Sequence, residues 1–161
     1  MPNADFHGSE DLNVTVTDSA GNSVLIQVAI DVTAVNDAPS ITNYISVAAV
    51  DEGYSAEIYD FNATDIDSDD NTLIFGLTST NTDAARFLIN PNTGSLTFAS
   101  LPDYENPGDF SGDNIYDINV TVSDLQGATR SMPISISVRD INEPPTLVNG
   151  VLNISANEEE A

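Results

Sequence analysis

The sequence predicts an all-β fold: a seven-stranded Greek-key β-sandwich of about 100 residues, with partial repeats at both ends. The first observation behind this prediction is alternation of apolar and polar residues, seen clearly at Tyr116, Ile118, Val120 and Val122. Alternation with a period of two is typical of strands that bury one face. The second observation is that clusters rich in Gly, Asn, Asp and Pro separate the apolar segments, and no segment has a helical period.

The complete sandwich is predicted to span residues 40 to 140. Its strands are expected at 40–50, 54–61, 72–79, 86–90, 95–99, 116–122 and 132–138. The turn sequence 91–94, Pro-Asn-Thr-Gly, is expected to join two of them as a hairpin. Residues 101–114 are predicted to form a long loop. Closer to the N-terminus, residues 12–17 and 26–32 alternate in the same way around a turn at 18–22, which predicts a further hairpin.

An internal repeat divides the chain. Residues 12–18, Leu-Asn-Val-Thr-Val-Thr-Asp, recur as residues 118–124, Ile-Asn-Val-Thr-Val-Ser-Asp, and residues 39–52 share their spacing with residues 145–158. We therefore expect the C-terminal hairpin of a preceding repeat at 1–35, a complete repeat at 36–143 and the N-terminal segment of a following repeat at 144–161. Because two strands cannot bury a sandwich core, the terminal parts should be less ordered, or pair with each other or with another molecule.

The composition excludes several classes of function. The chain has 26 acidic residues, three arginines and no lysine, for a net charge of -23. Nucleic acid and direct contact with an anionic membrane are not expected, because both need clustered basic side chains. The chain has no cysteine, and its single histidine, His7, lacks a catalytic arrangement around it, so we expect no enzyme. No signal peptide is visible and no apolar run reaches about 18 residues, so the chain is expected to be part of a longer protein.

Acidic side chains are concentrated at two similar joints and in nearby loops. The joints are Val35-Asn36-Asp37-Ala38-Pro39 and Asp140-Ile141-Asn142-Glu143-Pro144-Pro145, each of which lies between apolar strands. Proline ends the preceding strand and stiffens the joint. Calcium prefers six to eight oxygen ligands from carboxylates and carbonyls. The pattern therefore predicts calcium-filled hinges, whereas the alternative is that these acids are merely solvated.

Five motifs in order resemble cadherin repeats, and in particular the cadherin-like repeats of large bacterial surface adhesins, over residues 39–145. The joint Asp140-x-Asn142-Glu143-x-Pro145 resembles the family's Asp-x-Asn-Asp-x-x-Pro, with Glu for the second Asp and one residue fewer before the proline. The other motifs are Asp65-Ile66-Asp67 for Asp-Ala-Asp, Asp103-Tyr104-Glu105 for Asp-Arg-Glu, Asp124 for the late Asp of Ala-x-Asp, and Glu52 for the Glu that ends the first strand.

The resemblance implies a set of Ca²⁺ ligands at each joint. At the second joint, two ions would be held by Glu52, Asp103, Glu105, Asp140, Glu143 and the carbonyl of Ile141, and Asn142 would reach a third ion. At the first joint, the ligands would be Asn36, Asp65, Asp67, the carbonyl of Asn71 and Asp124, while Asp37 would serve upstream ions. Ala34 occupies the position of the first linker Asp, so the first joint should bind fewer ions or bind them more weakly.

The function implied by the resemblance is a calcium-dependent structural and adhesive module, located outside the cell, whose Ca²⁺-bound linkers rigidify a tandem array. Its expected partners are neighbouring repeats of the same chain. Two alternatives stay open at this point. One is calcium-dependent binding of a polysaccharide or a surface protein, and the other is homophilic self-association.

Overall fold

The structure is a computed structural model that describes residues 5–67 and 72–144. Its strands are β1 (Gly8–Thr17), β2 (Ser23–Val32), β3 (Ser40–Ile41), β4 (Val47–Asp51), β5 (Tyr59–Asp60), β6 (Ala63–Thr64), β7 (Ile74–Thr78), β8 (Phe87–Ile89), β9 (Ser95–Phe98), β10 (Ile115–Ser123) and β11 (Thr129–Arg139). A 3₁₀ helix covers Asp83–Arg86. The described ranges contain no helix that could serve as a membrane span.

The strands after residue 39 form a β-sandwich, which confirms the predicted fold class. One sheet has the order β4-β11-β10-β7, a second has the order β5-β9-β8, and β3 pairs with β6. Strand β4 runs parallel to β11, and the other pairs are antiparallel. The parallel pairing matters for the site, because it brings the end of β4 beside the end of β11.

The alternation of β10 and β11 builds the core. On β10, Tyr116, Ile118, Val120 and Val122 are all buried, while the residues between them are exposed or half-buried. Strand β11 repeats the pattern with Ile134, Ile136 and Val138. The core also includes Phe61, Leu96 and Phe87, all of which are buried. Burying each large apolar side chain contributes roughly 1.5–3 kcal/mol relative to exposure.

Two of the predicted strands are wrong in their extent. The expected strand 40–50 is divided into β3 and β4, because the side chain of Asn43 binds the backbone that a ladder would use: Nδ2 donates to the Asp60 carbonyl at 2.7 Å, and Oδ1 accepts from Asn62 N–H at 2.7 Å. The expected strand 54–61 is reduced to Tyr59–Asp60. Before it, the Tyr54 hydroxyl donates to the Glu57 carbonyl at 2.9 Å, so a local loop occupies 54–57. Residues 63 and 64 then form β6.

The N-terminal hairpin forms a two-stranded sheet of its own. Leu12 pairs with Val28 and Val14 with Ile26, so their side chains share one face. Leu12 is 52% exposed and Val14 is 38% exposed, whereas their repeat counterparts in β10, Ile118 and Val120, are 2% and 1% exposed. An apolar face that forms a core in one copy of the repeat therefore lies open in the other.

The turns of the two repeat copies have the same hydrogen bonds. Asp18 Oδ1 accepts from Ala20 N–H and Asn22 N–H, and Asp124 Oδ1 accepts from the N–H groups of Gln126 and Ala128. The domain boundaries proposed above stay a prediction. Of the segment 144–161, all but Pro144 lies outside the described residues.

Candidate metal centre

The second joint is organised around Glu52, which directly follows β4. Because β4 pairs with β11, the Glu52 N–H donates to the carbonyl of Arg139 at 3.0 Å. The Glu52 carboxylate then accepts two backbone hydrogen bonds, from Ile141 N–H at 2.6 Å and from Tyr104 N–H at 3.0 Å. The end of β4, the linker after β11 and the 101–114 loop therefore meet at one side chain.

Three glutamates converge at this junction. One carboxylate oxygen from each of Glu52, Glu105 and Glu143 lies within 4.8 Å of the others. Asp103 lines the same cleft, of about 390 Å³, together with Glu52, Ile141 and Glu143. The neighbouring Arg139 does not neutralise these carboxylates, because it forms an ion pair with Asp51 at 2.8 Å. The cleft is therefore strongly negative.

The carboxylates of the cleft differ in their tendency to ionise. The backbone hydrogen bonds from Ile141 and then Tyr104 lower the pKa of Glu52 below its usual range. A hydrogen bond from its own backbone also lowers the pKa of Glu105, but burial and the charges of Glu52 and Glu143 outweigh it and raise the pKa. A nearby positive charge would therefore favour the ionised form of Glu105.

The remaining predicted ligands of the second joint lie on its linker. Asp140, Ile141 and Asn142 are exposed, and they follow the last residue of β11 in the order of the motif. Ile141 is tied to the cluster through its N–H, so its carbonyl is also held close to the junction. The structure thus gathers Glu52, Asp103, Glu105, Ile141 and Glu143, and it places Asp140 and Asn142 on the same exposed linker.

The first joint connects its linker to two loops of the repeat. Asn36 Nδ2 donates to Asp124 Oδ2 at 2.7 Å, and Asp37 N–H donates to Asp67 Oδ2 at 2.6 Å. Asp67 N–H in turn donates to Asp65 Oδ1 at 2.8 Å. The hydrogen bond from Asn36 is the main reason why the pKa of Asp124 is lowered. Asn71, the fifth predicted ligand here, lies outside the described residues.

The donor set at both joints fits a hard cation. The groups are carboxylate and carbonyl oxygens, which calcium prefers, and no nitrogen or sulfur ligand is needed. At the first joint, Asn36 Oδ1 is a buried atom with no hydrogen-bond partner among the described residues, even though the Nδ2 of the same amide is bonded. A buried acceptor of this kind is costly to leave unpaired, and a cation would satisfy it.

Sequence reasoning missed the residues that position the 101–114 loop. Asp109 accepts backbone hydrogen bonds from Gly112, Asp113 and Asn114 at 2.5–3.1 Å. Asn114 Nδ2 then donates to the Tyr104 carbonyl at 2.9 Å, which fixes the peptide group that joins Tyr104 to Glu105. No sequence pattern signals this contact; in the structure Asn114 has a φ of +63°, a conformation that Asn tolerates better than most residues.

Comparison with known proteins identifies the family of the chain. The family model of the cadherin domain matches residues 36–139. The chain belongs to the cadherin family. It is similar to human Protocadherin Fat 4, with 40% identity over 86 residues, which are 52% of this chain and 2% of that protein. The predicted family resemblance is therefore confirmed, and an origin in a bacterial adhesin stays a prediction.

Solved structures of cadherins share the fold. The structure of human Protocadherin-24 EC1-2 is 24% identical with a TM-score of 0.52, and the match covers 66% of this chain and 45% of that one. Drosophila N-cadherin EC1-3 is 22% identical with a TM-score of 0.57, covering 85% of this chain and 44% of that one. Cadherin domains are extracellular adhesion modules that typically depend on calcium, and this chain is an extracellular cadherin module.

Proposed function

We propose that Ca²⁺ bound at the joints of this cadherin chain locks each repeat to its neighbour and so stiffens an adhesive array. At the second joint the ligands are Glu52, Asp103, Glu105, Asp140, Glu143, the carbonyl of Ile141 and, for a further ion, Asn142. The observation that carries the proposal is the convergence of Glu52, Glu105 and Glu143 within 4.8 Å. Bound calcium supplies the positive charge that this cleft lacks.

The stiffening follows from where the ligands are attached. Glu52 stands at the end of β4, Glu105 belongs to the 101–114 loop, and Glu143 belongs to the linker. Without a cation, the like charges of these neighbouring carboxylates repel each other. That repulsion drives the linker away from the repeat. Once it is neutralised, the hydrogen bonds from Ile141 and Tyr104 to Glu52 hold the three segments in one arrangement.

The first joint is proposed to hold fewer ions, through Asn36, Asp65, Asp67, Asn71 and Asp124, with Asp37 directed to upstream ions. Its linker carries Ala34 where the family has an acid, and Ala34 lines a cavity beside Val35, Asp37 and Asp67. One carboxylate is thereby lost from the coordination sphere. Because affinity for calcium increases with the number of charged ligands, this joint should fill at higher calcium concentrations.

Calorimetric titration tests the ligand set. Glu105→Gln removes a charge from the cluster with almost no change in shape, and we expect it to weaken calcium binding at the second joint at least about tenfold or to remove one ion from the count. The matched control is Glu10→Gln on the exposed hairpin, which should leave the titration unchanged. Identical titration curves for wild type and Glu105→Gln would refute the assignment.

The identity of the parent protein is a separate proposal. We infer a large bacterial surface adhesin in which neighbouring repeats of the same chain are the partners. Its support is the order of the five motifs described above, from which Glu143 and the shortened linker before Pro145 are departures. The chain spans 2% of the curated relative that it matches, so the adhesive partner of the whole protein is also a proposal.

Self-association of the chain is a second candidate function, because the apolar face of the N-terminal hairpin, which a complete preceding repeat would bury, is open here. Leu12, Val14, Ile26 and Val28 are 38–52% exposed on one side of a two-stranded sheet. An exposed apolar surface of this kind gains free energy by pairing with a second copy.

Sedimentation velocity over a range of protein concentrations tests self-association. We expect the wild type to form dimers as concentration rises, and Val14→Asp to stay monomeric because it places a charge in the apolar face. The control is Thr15→Asp, on the opposite face of the same strand, which should dimerise like the wild type. A wild type that is monomeric throughout rules out this interface.

A further inference from the structure

A second cavity lies beside the candidate metal centre, between the 3₁₀ helix and the start of the 101–114 loop. Its volume is about 360 Å³, and polar groups of Arg86, Ser100, Asn106 and Tyr116 line it. This size is at the lower end of the range for small-molecule sites. None of these four side chains belongs to the proposed calcium ligands.

Arg86 is unpaired in a chain with a large excess of acid. Only three arginines accompany 26 acidic residues, yet no carboxylate lies within ion-pair distance of Arg86 in residues 5–67 and 72–144. Arg139, by contrast, is paired with Asp51. A guanidinium presents a planar set of five donors that matches a carboxylate with two parallel hydrogen bonds. The cavity therefore holds a carboxylate-binding group that the protein itself leaves unused.

Tyr116 supplies a second donor. Its side chain is 98% buried at 2% exposure, and its hydroxyl oxygen accepts a hydrogen bond from Gly108 N–H at 3.1 Å. The hydroxyl proton has no acceptor among the described residues, so it is available to a ligand in the cavity that the ring lines. Burial is the main cause that raises the pKa of Tyr116, which keeps the hydroxyl protonated and neutral near pH 7.

Gly108 keeps the space between the two donors open. A Cβ atom at this position would lie 3.4 Å from the Tyr116 hydroxyl oxygen and 3.5 Å from Cζ and Nε of Arg86. A side chain there would occupy the volume in which a ligand oxygen could reach both groups. The glycine is not required by a positive φ, so close access to the donors is the property it provides.

From this geometry we propose that the cavity binds the carboxylate of a small acidic ligand, with a hexuronate sugar as the ligand class that fits its size and polar lining. The carboxylate pairs with the Arg86 guanidinium and accepts from the Tyr116 hydroxyl. The hydroxyls of the sugar ring face Ser100 and Asn106 at the cavity wall. No bond is made or broken, so the site is a recognition site.

The cavity is coupled to the metal centre through a shared wall. Leu101, Pro102 and Asp103 line both the cavity and the calcium cleft. On the proposed function, calcium neutralises Asp103 and its neighbours, and the repulsion of an incoming anion then falls. Carboxylate binding should therefore be several-fold tighter in calcium than in chelator.

Two-dimensional NMR titration of the whole chain in calcium tests the site with three probes: sodium D-galacturonate, sodium acetate and the neutral methyl β-D-galactoside. We expect galacturonate to shift the amide signals around Gly108 and Tyr116. Equal shifts with acetate would identify a general carboxylate site, and shifts with galacturonate alone would identify a uronate site. Either result supports the proposal. Equal binding of the neutral sugar, or shifts confined to the Glu52 region, would overturn it.

Variants distinguish specific galacturonate binding in this cavity from a general effect of protein charge on binding. Arg86→Gln should weaken galacturonate binding at least about tenfold, and Gly108→Ala should weaken it without any change of charge. The control is Arg130→Gln, an exposed arginine of β11 outside the cavity, which should bind as the wild type does. Unchanged binding by both Arg86→Gln and Gly108→Ala overturns the assignment. Calcium titration of Arg86→Gln keeps the two proposals distinct, because this variant should retain the calcium count of the wild type.

Discussion

The melting temperature of the chain is expected to rise by about 10–20 °C when calcium replaces a chelator. Extracellular calcium modules have dissociation constants of about 10⁻⁴–10⁻³ M, and a site filled to about 100 times its dissociation constant adds roughly 2.7 kcal/mol to the free energy of unfolding. For a domain of 60–100 residues, each kcal/mol shifts the melting temperature by about 4–8 °C. Differential scanning calorimetry in calcium and in EDTA measures the shift.

Magnesium and two variants identify the source of this stabilisation. Magnesium at the same concentration screens charge but demands a smaller, near-octahedral site and gives up water reluctantly, so it should produce a much smaller shift. Glu52→Gln should lose most of the calcium effect, because Glu52 joins the linker and the loop at one point. Glu10→Gln should keep the full effect. If magnesium matches calcium in the wild type, the stabilisation is screening and the site assignment fails.

The sequence could predict the sandwich because its longest strands obey a simple rule. Strands β10 and β11 alternate so regularly that their buried face follows from the residue types alone. The first strand could not be predicted to break, because the break depends on Asn43 meeting Asp60 and Asn62 across the fold. A side chain that takes the place of backbone hydrogen bonds between strands cannot be recognised from the sequence, because the two segments meet only in the folded chain.

The metal centre was predictable in its members but not in its geometry. The order of the motifs identified Glu52 and Glu143 as calcium ligands, although they are far apart along the chain. Their proximity requires the parallel pairing of β4 with β11, where Asp51 lies opposite Arg139, and periodicity carries no information about that pairing. The hydrogen bond from Asn114 to the Tyr104 carbonyl was missed for the same reason, since a part-buried side-chain hydrogen bond to a loop has no pattern in the sequence.

Gly94→Ala is expected to lower the free energy of unfolding by about 2–5 kcal/mol. Gly94 has a φ of +79°, and an added Cβ would lie 2.2 Å from the carbonyl oxygen of Phe61, far inside contact distance. The left-handed conformation costs a non-glycine residue about 1–2 kcal/mol, and overpacking costs about 1–3 kcal/mol more. The backbone cannot simply retreat, because the Phe61 N–H donates to the Gly94 carbonyl at 3.1 Å. Urea denaturation measures the loss.

Gly112→Ala separates the cost of the left-handed conformation from the cost of the steric clash with Phe61. Gly112 has a φ of +72°, but nothing lies within 4 Å of its added Cβ. This variant should therefore lose only the free energy of unfolding that the left-handed conformation costs, about 1–2 kcal/mol. The difference between the variants is then the cost of displacing Phe61, a fully buried core residue that follows β5. Equal losses for the two variants would contradict close packing at this turn. Because Gly94 does not line the calcium cleft, folded Gly94→Ala should still bind calcium with the wild-type count, which makes stability and metal binding separable properties of one sandwich.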